Sequence, residues 1–265
     1  EEFAARGESD HFFLCLREHD PQTIQLRLDQ VIREINASQA ADLPALPITV
    51  RSGVCLVEDP GQDITILQDH ARLASQNPTP DHSRLCAFYD DSLTDRLRLE
   101  QELNTLFDSS LERGDFLIYL QPKISLQDNR LAGAEALVRW NHPRWGFLPP
   151  SEFIPLFEKN GFIAKLDQAV WDQACRVLRT WRDAGYPAIP ISVNVSRADI
   201  YQDNLADVLL GLTQKYGLMP AQLHLEITES AYTENPKQII DTASRLRALG
   251  FPVEMDDFGS GYSSL

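Results

Sequence analysis

The chain has 265 residues, 43% hydrophobic and 24% charged, with only 13 Gly and 16 Pro. That composition excludes collagen-like and low-complexity classes and leaves apolar residues enough for one large or two modest packed domains. Against 24 Lys and Arg stand 39 Asp and Glu, a formal net charge of −15. A nucleic-acid polymer or an anionic membrane surface demands a basic face, and this chain offers none in general. An acidic chain can still take a small phosphate ligand if cations or a few placed Arg residues face it, and its carboxylates suit hard divalent cations.

In chain order, residues 12–16 predict a buried strand and 21–36 a helix with Pro at its start and Ile24, Leu28, Val31, Ile32 and Ile35 at helical spacing. The β-branched stretch 46–57 around Gly53 reads as strand, 64–75 as helix and 85–89 as a short strand, so 1–89 is a small α/β domain of βαβαβ order. Residues 90–114 carry Leu93, Leu97, Leu99, Leu103, Leu106 and Leu111 among charges; they read as an amphipathic helix with Gly114 as its C′ residue, either a connector between domains or the first helix of the second. In 115–265, strands at 116–124, 131–141, 189–195, 222–228 and 251–256 alternate with helices at 151–159, 165–184, 204–216 and 236–249. This order predicts βα units and a parallel sheet, either doubly wound or a (β/α)₈ barrel cut short. Cys15, Cys55, Cys86 and Cys175 lack zinc spacing and read as reduced, buried thiols of a cytoplasmic protein. No apolar run approaches membrane-spanning length. With no initiator Met and no tail after Leu265, the expectation is a fragment at both ends, with an upstream inner-membrane tether left open.

Strands buried on both faces should be uniformly apolar, and these are not. Period-2 alternation puts Glu135 and Arg139 on one face of their strand, Asn194 among the polar positions of the next, His224, Glu226 and Thr228 together, and Glu254 with Asp256. Singly, each has a plain reading: Glu135 as a core acid paired with Arg, Asn194 as a satisfied amide, Asp256-Asp257 as a turn. Glu226 in an apolar strand is hardest to dismiss, because an unpaired buried charge is costly. Together, three carboxylates and an amide near strand C-termini are an all-oxygen set for Mg²⁺ or Mn²⁺, Arg139 suits a phosphate oxygen, and metal-assisted phosphate-ester hydrolysis is the reaction that uses both. The four Trp read as core, and His142 and His224 receive no role.

Glu135-Ala136-Leu137-Val138-Arg139-Trp140, Asn194-Val195-Ser196, Glu226-Ile227-Thr228-Glu229-Ser230 and the segment from Asp256-Asp257-Phe258-Gly259 to Leu265, with Gln121-Pro122 and Gly146-Phe147-Leu148-Pro149-Pro150, resemble the EAL-domain phosphodiesterases. The resemblance implies a (β/α)₈-type barrel that hydrolyses cyclic di-GMP to linear pGpG with two Mg²⁺ or Mn²⁺ ions. It implies Glu135, Asn194, Glu226 and Asp256 as ligands of the first metal, Asp256 bridging to the second, and Asp257 as a further ligand. Arg139 would contact a substrate phosphate, and Gln121, Leu137 and Pro150 would line the guanine and backbone pocket. Glu229 would anchor the loop from Phe258, which in the family couples dimerisation to metal binding; the resemblance thus implies a homodimer and a catalytic set of Glu135, Asp256, Asp257 and Glu229. The family's Lys, Glu and Gln on later strands lie beyond Leu265; a receptor that holds cyclic di-GMP without cutting it is the alternative.

The first segment resembles the later part of a GGDEF, diguanylate cyclase-like domain of the ferredoxin/cyclase type. Arg6-Gly7-Glu8-Ser9-Asp10-His11-Phe12 stands where Arg-x-Gly-Gly-Asp-Glu-Phe is usual. With Glu8, Ser9 and His11 in place of the two glycines and the acid, the resemblance implies a degenerate domain without cyclase activity and with GTP binding open.

Overall fold

The computed structural model describes residues 2–7, 10–42, 50–76, 86–187, 189–228 and 236–256, of which 36–42, 228 and 256 are described by backbone alone. The chain divides into two compact units, Glu1–Gln101 and Glu102–Leu265.

In the first unit, β1 (Phe3–Arg6) pairs antiparallel with β2 (Phe12–Cys15), and just past the paired residues Gly7 N–H donates to His11 O at 2.9 Å. The sequence reading lacked β1, because four residues give too short a pattern to separate from coil. α1 (Pro21–Asp42) begins where Asp20 Oδ2 accepts from both the backbone N–H and the hydroxyl of Thr23, at 2.9 and 2.6 Å. It buries Ile24, Leu28 and Ile32, whereas Val31 and Ile35 are exposed. β3 (Ser52–Val54) runs parallel to β4 (Cys86–Phe88) beneath α2 (Ile64–Gln76). Contact is close enough that a Cβ on Gly53 would lie 2.0 Å from the Ala71 carbonyl oxygen, so only glycine fits. Of the strand expected at 46–57, residues 52–54 are extended and 43–49 lie outside the described residues.

α3 (Asp91–Arg113) contains the division between the units and ends at Gly114, whose φ of +76° is the left-handed C′ geometry expected of it. Its inward face is centred on Leu103 and Phe107 rather than on the full leucine row; Leu97 is exposed. Phe107 stacks on Phe162 at 4.5 Å and meets Phe157 edge-on at 4.7 Å.

The second unit is built on one six-stranded sheet. β5 (Phe116–Ile124) and β6 (Leu131–His142) are antiparallel, with Phe116 opposite Trp140, and β7 (Gly146–Leu148) adds antiparallel to β6. This corrects the expectation of a wholly parallel sheet: the six residues between β5 and β6 are too few for a crossover, so the chain can only turn back on itself. After α4 (Pro150–Asn160) and α5 (Ile163–Asp183) come β8 (Ile191–Asn194), α6 (Arg197–Ile200), α7 (Leu205–Lys215), β9 (Leu223–Thr228), α8 (Pro236–Ala248) and β10 (Val253–Asp256). The order β10-β9-β8-β6-β5 advances in one direction, with β6, β8, β9 and β10 all parallel. A doubly wound sheet reverses its order at a switch point, so that alternative is removed.

Alternation within each strand sorts two faces. Ile191, Val193, Leu223, Leu225 and Ile227 turn outward and are buried with Val170, Trp171, Ala174 and Leu178 of α5, Leu205 and Leu209 of α7, and Leu246 of α8. The polar residues turn to the other face. Lys123 of β5 reaches carboxylates on β9 and β10, three and four strands away. In a flat sheet those strands would stand about 14 and 19 Å off, beyond a four-carbon side chain, so the sheet curls strongly about its polar face.

Cys86 and Cys175 are buried as expected, but Cys15 is exposed and Cys55 only half-buried, because β2 presents Cys15 to solvent. Trp140 and Trp171 are core residues; Trp145 is 53% exposed, on the turn between β6 and β7, and donates Nε1–H to Glu102 at 3.0 Å. Among the described residues no helix is long and apolar enough to cross a membrane.

Candidate functional site

The curled face gathers its polar groups by register. Gln121 of β5 lies opposite Glu135 of β6; Glu135 is level with Ser192 of β8; Asn194 is level with Glu226 of β9; and Glu226 is level with Glu254 of β10. Asp256 ends β10 beside Thr228. Asn194 and Asp256 are the last residues of parallel strands, the end at which a barrel-type fold places its chemistry.

Asn194 Nδ2 approaches Glu135 Oε1 at 3.4 Å. Glu226 is 4% exposed, and its Oε2 is buried without a hydrogen-bond partner among the described residues. A buried carboxylate oxygen left in that state is costly unless a cation completes it. Among the described residues no three His, Cys, Asp or Glu side chains form a metal-holding group, and Asp257 and Glu229 lie outside them. Glu135, Asn194 and Glu226 nonetheless present an all-oxygen donor set with one orphaned buried oxygen, which fits a hard divalent cation.

The remaining sequence-predicted residues sit around this group. Leu137 lies two residues along the same face of β6, opposite Tyr119, and Arg139 follows it opposite Leu117. Arg139 is half-buried and donates from its guanidinium to the Val138 carbonyl at 2.8 Å. Gln121 is exposed at the open side of the face, and Pro150 opens α4.

Four residues here had no role in the sequence reading. The Lys123 ammonium contacts Glu226 Oε1, donates to Ser192 Oγ at 2.7 Å and to Glu254 Oε2 at 3.0 Å. His224 Nδ1 holds the other oxygen of Glu254 at 2.6 Å. Burial pushes Glu254 up, but the hydrogen bonds of His224 and Lys123 and the Lys123 charge outweigh it and hold the carboxyl below its ordinary value. Burial likewise opposes the charge on Lys123, and its bonds to the two glutamates overcome this and raise its pKa. The available signal was parity: Lys123 stands two residues after Gln121, on the same strand face.

Behind β8, Trp171 donates Nε1–H to the Asn194 carbonyl at 2.9 Å. One turn earlier on α5, Asp167 is buried beside Asp199 and Ser196, and its Oδ2 has no hydrogen-bond partner among the described residues. Ser196 caps α6 reciprocally with Asp199: its hydroxyl donates to Asp199 Oδ2 at 2.5 Å and accepts from the Asp199 N–H at 3.3 Å. Burial first, then the adjacent Asp199 carboxylate, pushes the Asp167 carboxyl well above the ordinary range. The native chain thus keeps a proton that the unfolded chain releases near pH ~4. The stabilisation is fully present below that pH and is lost as pH rises through the raised native value. Asp167→Asn mimics the protonated acid and is expected to flatten this alkaline loss. Urea midpoints at pH 5 and 8.5 test it; a variant that falls more steeply than wild type contradicts the raised Asp167 carboxyl.

Residues 100–265 match the EAL domain family. Across 263 residues, 98% of its length, the chain is 30% identical to the bifunctional diguanylate cyclase/cyclic di-GMP phosphodiesterase MucR of Pseudomonas aeruginosa, spanning 38% of that protein. It is 35% identical over 269 residues to the cyclic di-GMP phosphodiesterase NbdA of the same organism, again over 98% of this chain and 33% of the relative. The chain therefore spans about a third of the length of these curated relatives. Among solved structures, the MucR phosphodiesterase in complex with cyclic di-GMP aligns at TM-score 0.59 and 36% identity over 62% of this chain and 66% of that one. The EAL enzyme Bd1971, bound to cAMP and cyclic di-GMP, aligns at 0.58 and 28% over 66% and 47%. With its family match covering well over half its length and its fold shared with these structures, the chain belongs to the EAL-domain family.

Proposed function

We propose that the second unit belongs to a metal-dependent phosphodiesterase that hydrolyses cyclic di-GMP to linear pGpG, and that 115–265 contribute to its (β/α)₈-type barrel. The observation that carries this reading is the buried, unpartnered Oε2 of Glu226 beside Asn194 and Glu135, in a chain similar to cyclic di-GMP phosphodiesterases. Glu135, Asn194, Glu226 and Asp256 would hold the first Mg²⁺ or Mn²⁺, and Asp256 and Asp257 the second. Bound there, the ions would polarise the scissile phosphate and supply a nucleophile at neutral pH. Arg139 orients a phosphate oxygen; Gln121, Leu137 and Pro150 shape the pocket for guanine and the dinucleotide backbone; Glu229 orders the loop from Phe258. The apolar outer face keeps the strand ends fixed, so the donors are positioned before ligand arrives.

Residues 1–89 are read as a degenerate GGDEF-like regulatory domain, joined through the helix at 90–114. Alignment to a bifunctional cyclase/phosphodiesterase over nearly the whole chain supports this, and Glu8 and His11 remove the cyclase chemistry. One experiment tests both halves. The full-length protein with Mg²⁺ or Mn²⁺ is expected to convert cyclic di-GMP to pGpG, to stop after exhaustive chelation, and to make no cyclic dinucleotide from GTP. Full turnover after chelation refutes the metal reading, tight binding without turnover shows a receptor, and a cyclic product from GTP refutes the degenerate domain.

A further inference from the structure

Glu226 and Glu254 face each other at the same register on adjacent parallel strands, and like carboxylates so placed repel unless a cation lies among them. The chain supplies that cation itself. Lys123 contacts Glu226 Oε1 and, at 3.0 Å, Glu254 Oε2, so one ammonium serves two carboxylates. Its grip is asymmetric in a useful way. On the Glu254 side it has Ser192 Oγ at 2.7 Å as well, and Glu254 is anchored from behind by His224 at 2.6 Å. On the Glu226 side it holds one oxygen, while the other is buried without a partner among the described residues.

We propose that Lys123 is a built-in competitor for the divalent cation: it neutralises Glu226 in the metal-free protein and retreats onto Glu254 and Ser192 when a divalent ion takes Glu226, thereby setting the metal affinity of the site. This rests on the reading of Glu226 as a metal ligand. A divalent ion and an ammonium on one carboxylate repel strongly in a water-poor interior. The flexible lysine stem lets the ammonium withdraw without leaving the carboxylate pair. His224 keeps Glu254 in place as the receiving acceptor. Lys123 is thus a positioning residue, and in the metal-free protein its one positive charge partly offsets the Glu226–Glu254 pair.

The competitor role separates from a merely structural one by sign. In the full-length protein without nucleotide, free Mn²⁺ counted by electron paramagnetic resonance is expected to show about tenfold tighter binding in Lys123→Met and in Lys123→Gln than in wild type. The melting temperature of the metal-free variants should fall, and Mn²⁺ should raise it by more than it raises that of wild type. A structural lysine would lower stability and metal affinity together, so weaker or unchanged Mn²⁺ binding by a folded variant overturns the proposal. Glu254→Gln gives an independent reading, since it removes the retreat: it should weaken Mn²⁺ binding in the wild-type background and do so less when Lys123 is Met. Equal losses in the two backgrounds also overturn it. If wild type binds Mn²⁺ and hydrolyses cyclic di-GMP but Lys123→Met binds no tighter, only the competitor role fails; if neither binds Mn²⁺, the metal-site reading fails with it.

Discussion

Glu226→Gln is expected to lower kcat for cyclic di-GMP hydrolysis by a hundredfold or more while leaving the fold intact. Gln keeps the length and planarity of the side chain, so the neighbours on β8 and β10 are undisturbed. It keeps an acceptor for Lys123 but removes the negative charge that a divalent cation needs at a buried oxygen. Changes to groups that merely support metal ligands cost about 10–100-fold in affinity or activity, and loss of the charge on a ligand itself exceeds that. Steady-state rates with the metal concentration varied are the measurement. Near-wild-type turnover at moderate Mn²⁺ would remove Glu226 from the reaction. A rate restored only at very high Mn²⁺ would place its role in binding the ion. Ala is the poorer probe, because a cavity beside Lys123 would confuse loss of charge with loss of packing.

Trp171→Ala is the largest stability loss we expect, about 3–5 kcal/mol. Trp171 is 1% exposed, in the core behind β8, and truncation leaves a large void among residues that strands and helices hold in place. The indole N–H also satisfies the Asn194 carbonyl at 2.9 Å, so its removal orphans a backbone acceptor at the end of a ligand-bearing strand. Because domains are stable by only about 5–15 kcal/mol, the variant should be marginal at 37 °C. Chemical denaturation of Trp171→Phe separates the two contributions, since Phe retains most of the volume and loses the hydrogen bond. A Trp171→Ala midpoint within about 1 kcal/mol of wild type would show that the core does not depend on this ring.

Much of the second unit was legible because its elements are long and strongly patterned. The helix over Ile163–Asp183 repeats its apolar positions across five turns, and β9 alternates without interruption, so local periodicity and tertiary burial agree. Gly114 was legible for a similar reason: only a residue free to adopt positive φ suits the end of α3, and the helix cannot pass it cheaply. The aromatic heart of the unit was less so. Phe107, Phe116, Trp140, Phe153 and Phe157 converge from four different elements, and a leucine row along α3 gives no hint that Phe107 is the residue they surround.

Local pattern determined which residues are strand or helix and which strand face is polar, since a period of two is a property of the backbone itself. It therefore named Glu135, Asn194, Glu226 and Asp256 as residues of like orientation before any contact was known. What only the tertiary structure decided is how those faces meet. β5 turns back antiparallel because the link to β6 is short, and the curl of the sheet then carries Lys123 across to Glu226 and Glu254, residues 103 and 131 positions away. The same holds for the raised Asp167 carboxyl, whose burial beside Asp199 exists only once α5 packs against the turn after β8. Strand periodicity acts over a few residues and is written in the sequence, whereas charge compensation depends on distances that folding alone sets, through curvature and packing that no single segment encodes.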